Sequence, residues 1–321
     1  MKKIVVCVVT YNQEEFIGRA IESVLLQKDW GLYRIVVSDD CSKDRTWEIL
    51  KEYQDQYPGL IEIHRNEPNL GMYQNFEKVE TYLTEYDFLY ILAGDDELCD
   101  GFFEAIQKLV EEENIDTNEA IGIFSDWKRV GPNGDEMIYH QDVILSGYSV
   151  WELKMRNLVS LRSSVVTKKV RERAEHTILD QGLRVAESVY DAQSFLHMDK
   201  VFYIPKVSSI YYAGIGESTH LSLKDSDYHT TQSIAKWNYF LSHYISSERD
   251  VHYAKYELIK AEYYLNPTWI KLFHIIVHFK NGQLPFLNSS SALVWRLMWR
   301  LIKYKIELKN NNSGSDNNSH S

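Results

Sequence analysis

The stretch Tyr86-Asp-Phe-Leu-Tyr-Ile-Leu-Ala-Gly-Asp-Asp-Glu97 runs from an apolar segment straight into two adjacent carboxylates. Its first part suits a buried strand, and Gly94-Asp95-Asp96-Glu97 stands where that strand ends. Open α/β sheets bind ligands outside the carboxyl ends of their strands, so charge is delivered to the place a ligand would occupy. Successive strand side chains point to opposite faces, which lets Asp95 and Asp96 act separately. Gly-Asp-Asp is also good turn chemistry, so this stretch alone does not separate a turn from a site.

The surrounding chain alternates strand-like and helix-like segments. Ile4 to Val9 reads as a buried strand, and Glu14 to Gln27 places Phe16, Ile17, Ala20, Ile21, Val24 and Leu25 at helical spacing. Arg34 to Ser38 is a second strand, Asp44 to Tyr57 a helix ended by Pro58-Gly59, and Leu60 to His64 a third strand. Tyr73 to Leu83 is a third helix, Phe88 to Ala93 the fourth strand, Phe102 to Glu113 a further helix and Ala120 to Phe124 a fifth strand. Such alternation implies a parallel sheet with right-handed crossovers. Gly131-Pro-Asn-Gly134 marks a hairpin tip, and Val201 to Pro205 reads as one more strand. From Asp225 onward the chain is helical and aromatic, and the Asn/Ser-rich residues 310–321 cannot bury surface and read as a disordered tail.

Every one of the first four strands ends in a polar cluster. They are Thr10-Tyr11-Asn12, then Ser38-Asp39-Asp40-Cys41-Ser42-Lys43-Asp44, then Asn66-Glu-Pro-Asn69-Leu-Gly71, and finally the paired acids. Asn12 and Asp44 also suit helix caps, and Asn69-Leu-Gly71 a tight turn. Four clusters on one edge of one parallel sheet are much harder to explain structurally than any one of them.

Composition narrows the class. The 321 residues are 44% hydrophobic, enough for a large core, and the formal net charge of -11 argues against nucleic acid as a partner. Three cysteines make no disulfide framework and fit a reducing compartment. Neither a signal peptide nor a long uncharged apolar span is legible, and no glycine-rich phosphate loop is present, which lowers dinucleotide and P-loop readings.

Val5 to Asn12, Val37 to Thr46, Asn69-Leu-Gly71 with Asn75-Phe76, and Gly94-Asp-Asp96 resemble the successive signatures of family 2 glycosyltransferases. The resemblance covers roughly residues 3 to 130, with weaker echoes to about residue 215. It implies an α/β GT-A fold, a Rossmann-like, mostly parallel sheet flanked by helices, followed by a helical C-terminal region. The expected division is a catalytic domain over residues 1–220, with a nucleotide-sugar half to about 130 and an acceptor half over 131–220, then helices over 221–309. By the same resemblance Thr10, Tyr11, Asn12, Asn69, Gly71 and Asn75 line the nucleotide-sugar pocket. Asp40 bonds the base with Asp39 close by, Asp95 binds the ribose region, and Asp96 holds Mg²⁺ or Mn²⁺. A carboxylate accepting from a ring imide selects uracil or thymine, so a UDP- or dTDP-sugar is the expected donor. Cys41 stands where the family usually has glycine, and Ala93-Gly94 precede the acid pair in place of a further aspartate.

Inverting transfer needs a general base near the acceptor hydroxyl. The segment Ala186 to His197 resembles the family's source of that acid, with Asp191 the first candidate, Glu187 the alternative and Asp180 a weaker one. Tyr211 to His220 resembles a mobile loop that closes over the donor, and His220 is a candidate for the diphosphate or metal. Ser291 to Lys309 carries five basic residues against one acid, with Trp295 and Trp299, which suits a helix lying on an anionic membrane surface. Thr268 to Lys280 is expected to join it. Packing on the catalytic domain or on a second subunit, as in a homo-oligomer, is the other reading.

The expectation is therefore an inverting, metal-dependent transferase acting on a glycan or lipid-linked acceptor in surface or capsular polysaccharide synthesis, cytoplasmic and peripheral to the inner membrane face. The alternatives are a non-catalytic nucleotide-sugar-binding scaffold and a sugar nucleotidyltransferase. The latter wants a glycine-rich basic loop after the first strand, where Thr10-Tyr-Asn-Gln-Glu-Glu15 is acidic.

Overall fold

A strand covered on both faces carries an uninterrupted apolar run, and β1 (Ile4–Thr10) is buried at every position. The computed structural model describes residues 1–140, 161–173, 194, 197–216, 227–243, 248–281, 298, 299, 301, 302 and 304. The chain divides into two compact units, Met1–His220 and Leu221–Ser321.

In the first unit β1 is followed by α1 (Ile17–Leu25), β2 (Leu32–Asp39), α2 (Thr46–Gln56), β3 (Ile61–Arg65), α3 (Met72–Glu80) and β4 (Phe88–Ala93). Then come β5 (Glu97–Leu98), α4 (Phe102–Glu112), β6 (Ile121–Val130), β7 (Glu136–Tyr139), β8 (Ser164–Thr167), α5 (Lys168–Arg173) and β9 (Lys200–Tyr212). The sheet runs in the order β3-β2-β1-β4-β8-β6-β9-β5, and β7 pairs with β6. Strands β1 to β4 are mutually parallel where they pair.

The sheet is mostly parallel, as expected. Strand β8 lies antiparallel between β4 and β6, so the sheet is mixed there. Because β8 opposes both neighbours, β4 and β6 point the same way and their C-terminal ends share one edge. Strand β9 is parallel to β6 and ends on that edge too. It extends to Tyr212, so Tyr211 and Tyr212 belong to a strand and not to the loop that the sequence suggested. The hairpin tip is as expected: Gly134 takes φ 77°, and the Gly131 amide closes the turn on the Asp135 carbonyl at 2.7 Å.

One core joins the sheet to its helices. Ile4, Val6 and Val8 meet Ile17, Ile21 and Val24 of α1, while Phe102, Phe103 and Ile106 of α4 pack in the same cluster. Tyr90 meets Phe102 and Phe103 edge-on at 6.0 and 6.4 Å. Each such buried side chain contributes about 1.5–3 kcal/mol, which fixes the strand ends that carry the polar clusters.

The second unit contains α6 (Tyr228–His243), α7 (Glu248–Leu265) and α8 (Trp269–Asn281). Tyr256, Tyr263, Leu272, Ile275 and Leu301 form its core. Trp269, Ile270, Phe273 and Trp299 are 52%, 71%, 64% and 70% exposed. No helix among the described residues is long and apolar enough to cross a membrane. Most of Ser291 to Lys309, and all of residues 310–321, lie outside the described residues.

Candidate active site

The ends of β1, β2 and β3 are tied together by side chains bonding to loop backbone. Asn12 sits at φ 52°; its amide donates to Ser42 Oγ at 2.9 Å, and its Oδ1 accepts from the Lys43 amide at 2.7 Å. Cys41 takes φ 65°, the left-handed conformation that glycine adopts without strain, which accounts for the usual glycine at this place. Asp40 is 2% exposed. Its Oδ1 accepts from Asn66 Nδ2 at 3.0 Å and from the Leu70 amide at 2.8 Å, and its Oδ2 from the Gly71 amide at 2.8 Å. A carboxylate offers roughly four lone-pair sites, so about one remains for a ligand. Asn69 Nδ2 donates to the Asp40 carbonyl at 2.7 Å, and Gly71 takes φ 85°. Asn75 is 2% exposed and looks inward: its Nδ2 donates to the Ser38 carbonyl and its Oδ1 accepts from Asn66. Both of its polar groups thus bond within the frame of these loops.

Asp39 is fully buried, with Oδ2 accepting from the Ser42 amide at 3.1 Å and facing Arg65 Nε at 3.3 Å. Its Oδ1 is buried without a hydrogen-bond partner. Burial pushes the carboxyl above the ordinary aspartate range, against the opposing pull of Ser42 and Arg65.

At the end of β4, Gly94 lies against β1. A Cβ there would meet Thr10 Oγ1 at 2.9 Å and Gln13 Oε1 at 2.5 Å, and the Gly94 amide donates to the Val9 carbonyl at 2.9 Å. Glycine is therefore what lets the acid pair sit beside Thr10. Tyr11, half-buried, follows on the same edge. Arg19 Nη2 donates to the Asp95 carbonyl at 3.1 Å, and Arg19 Nε pairs with Glu97 Oε1 at 2.6 Å. Tyr212 Oη donates to that same Glu97 oxygen at 2.6 Å; burial and this bond push its phenol up to about 12. These contacts lock the two-residue β5 against β9. Gly216 follows β9 so closely that a Cβ on it would stand 2.8 Å from Asp95 Oδ2.

Asp96 is 2% exposed. Its Oδ1 accepts from the Tyr212 amide at 3.2 Å, and its Oδ2 lies 3.6 Å from Arg162 Nε. Arg162 went unnoticed in the sequence. It precedes a four-residue strand with no turn or glycine signal, and only the β4–β8 pairing brings it to the acids. Its guanidinium stands over Tyr211 at 4.0 Å and Trp127 at 5.9 Å. Trp127 in turn stacks on Tyr139 at 4.0 Å. Beside this aromatic group Asp126, 5% exposed, accepts from Tyr203 Oη at 2.5 Å and pairs with His140 Nδ1 at 2.8 Å.

Two carboxylates at one strand end are a hard oxygen donor set of the kind Mg²⁺ and Mn²⁺ share with phosphate oxygens. Among the described residues no three potential metal-ligating side chains converge. Asp180, Glu187, Asp191 and His220 lie outside the described residues.

A parallel β3-β2-β1-β4 block continued through an antiparallel β8, with an acid pair closing β4, defines a GT-A fold. S. aureus TarS 1-349 in complex with UDP-GlcNAc shares it, with TM-score 0.55 at 14% identity over 87% of this chain and 80% of that one. So does mannosyltransferase PcManGT from Pyrobaculum calidifontis in complex with GDP-Man and Mn²⁺, with TM-score 0.54 at 13% identity over 95% and 81%. Residues 5–151 match the model of Glycosyl transferase family 2. Among curated relatives, the processive diacylglycerol beta-glycosyltransferase of Mycoplasma pneumoniae is 33% identical over 117 residues, 36% of this chain. The chain spans about a third of that relative's length, since the match covers 34% of it.

Proposed function

We propose that the protein is a metal-dependent, inverting glycosyltransferase that moves a sugar from a UDP- or dTDP-sugar to a hydroxyl of a glycan or lipid-linked acceptor. The observation that carries this reading is the convergence of four polar strand ends on one edge, with Asp95 and Asp96 at its centre. In the proposed division of labour, the loop fastened by Asp40 forms the base pocket. The remaining acceptor capacity of Asp40, with Asp39 behind it, faces the ring imide. Asp95 takes the ribose and Asp96 the metal. PcManGT is in complex with GDP-Man, so the preference for a pyrimidine rests on these carboxylates and not on the fold.

The bound ion would neutralise the charge that builds on the departing diphosphate. The acceptor oxygen bonds to the anomeric carbon as the bond to the diphosphate oxygen breaks, and that oxygen keeps the electron pair. The acceptor's proton passes to Asp191, or to Glu187 as the alternative base. The test is a panel of UDP- and dTDP-sugars assayed for Mn²⁺-dependent release of nucleoside diphosphate. No binding or turnover of any of them by folded protein contradicts the donor reading. Unchanged transfer by both Asp191→Asn and Glu187→Gln removes the base assignment.

The acceptor side of the proposal places the protein at the cytoplasmic face of a membrane, in surface glycan or glycolipid synthesis. Trp269, Ile270 and Phe273 support it, because one face of α8 turns three large apolar side chains to solvent. The basic Ser291 to Lys309 segment adds affinity for anionic lipid. Co-sedimentation with vesicles containing phosphatidylglycerol, lost at high salt or in Trp269→Ser with Phe273→Ser, checks this part. Equal recovery in the supernatant with and without vesicles contradicts it.

A further inference from the structure

Strands β7, β6 and β9 lie side by side, and their register sets Trp127 opposite both Tyr139 and Ser209, and Arg129 opposite both Met137 and Tyr211. Residues opposite one another, and residues two apart along a strand, share a face of the sheet. One face of this ribbon therefore carries Trp127, Tyr139 and Tyr211 together. Trp127 and Tyr139 lie flat on each other, 4.0 Å between centroids and 4° between planes, and Tyr211 meets Trp127 edge-on at 6.3 Å. The inner end of this wall adjoins the acid pair. Arg162 stands over the Tyr211 ring at 4.0 Å with its Nε 3.6 Å from Asp96 Oδ2, and Asp96 Oδ1 accepts from the amide of Tyr212. The outer end is open: all four residues of β7 are exposed, Tyr139 by 37%. One ring face of Tyr139 is spent on Trp127, so its opening to solvent is at the other face and the rim. Close by on the same face, Arg129 Nη1 pairs with Asp135 Oδ2 at 2.9 Å, and both side chains reach water.

We propose that Tyr139, backed by Trp127, is a stacking platform for a pyranose ring of the acceptor. The inference rests on the glycosyltransferase reading above and narrows it: the acceptor carries a sugar ring and not merely a hydroxyl. A cross-strand aromatic pair steadies a hairpin by itself, but that role uses only the Trp127 side of Tyr139. An exposed apolar patch rimmed by polar groups, continuous with a ligand site, suits a further part of the ligand. A pyranose has that shape. Its faces are lined with C–H bonds, which neighbouring oxygens polarise, and these are drawn to the negative face of an aromatic ring. Its rim carries hydroxyls, for which Arg129 supplies donors and Asp135 acceptors. The reacting end of the acceptor then lies toward Asp96, with a sugar ring seated farther out on Tyr139.

The experiment titrates the full chain, saturated with UDP and Mg²⁺, with the methyl glycosides of glucose, galactose, N-acetylglucosamine, mannose and rhamnose. Binding is read by saturation-transfer difference NMR, and UDP affinity is measured separately by calorimetry. At least one glycoside should bind, with saturation strongest on the C–H protons of its ring. Tyr139→Leu keeps apolar bulk against Trp127 and removes the π face, and should bind that glycoside about tenfold more weakly, the loss of one stacked ring. Tyr139→Phe keeps the face and should stay within about threefold of wild type. UDP affinity should be the same in all three. Tyr139→Leu also decides the matter if Tyr139→Ala does not fold. Glycoside binding by Tyr139→Leu equal to wild type overturns the proposal, and so does a wild type that binds UDP but none of the glycosides; in both cases the donor reading stands. A wild type that binds neither UDP nor any glycoside contradicts the proposed function and takes this inference with it.

Discussion

Strands β1 to β4 end on the same edge of one sheet as β6 and β9, between which and β4 the antiparallel β8 runs, but the two blocks use their polar groups in different ways. In the first block the side chains bond to loop backbone: Asp40 to the Leu70 and Gly71 amides, Asn12 to Lys43, Asn75 to the Ser38 carbonyl. In the second, charged groups sit among rings: Arg162 over Tyr211 and Trp127, Asp126 against Tyr203. The first arrangement is a preorganised frame whose shape is set before a ligand arrives. The second sets its charged groups among aromatic rings.

The two blocks should therefore answer mutation differently. The largest effect is expected at their junction, where Asp96→Asn should lower transfer by about a thousandfold, as loss of a group acting on transition-state charge does. Its unfolding midpoint should move little, because Asn still accepts from the Tyr212 amide. Activity within tenfold of wild type would remove Asp96 from the chemistry. Next comes the frame. Asp40→Ala strands the Leu70 and Gly71 amides and the Asn66 side chain, at about 1–3 kcal/mol for each buried group left unpaired, read in urea unfolding. A smaller loss, about 1–3 kcal/mol in all, is expected for Gly94→Ala, whose Cβ must push Thr10 and Gln13 aside. Trp127→Leu, in the other block, should cost stability through lost packing yet leave UDP affinity unchanged. Weakened UDP binding there would erase the proposed contrast between the blocks.

The smallest effect is a pH dependence. Burial raises the Asp39 carboxyl, so the folded protein holds that proton more tightly than the unfolded chain does. In the window from about pH 4 up to the raised value the folded state carries the extra proton, and stability falls as pH rises through it. Asp39→Asn should remove this slope in unfolding midpoints measured from pH 4 to 7. A slope equal to wild type would contradict the buried, under-bonded environment assigned to Asp39.

The same contrast explains what the sequence discloses. Each donor-side cluster directly follows its own strand, so the runs Ile4 to Val9 and Phe88 to Ala93 announce both the strand and the side chains at its tip. Local pattern sufficed. On the other side Ser164 to Thr167 is four residues long and β5 only two, too short for any periodicity to show. Their placement is decided by pairing with strands far away in sequence, and so is the arrival of Arg162 beside Asp96. Tyr211 and Tyr212 read as loop because glycines follow closely, yet pairing with Arg129 and Val130 of β6 extends the strand through them. Asn75 stands in the constellation by sequence, but its inward hydrogen bonding depends on Asn66, nine residues upstream.

The most direct test of a preorganised nucleotide-sugar cradle is hydrogen–deuterium exchange of the full chain with and without UDP and Mn²⁺. The account predicts added protection in peptides spanning residues 10–13, 39–46, 66–72 and 93–98, with residues 200–206 of β9 unchanged. Unaltered exchange at those four strand ends under saturating UDP and Mn²⁺, or protection confined to β6 and β9, would contradict it.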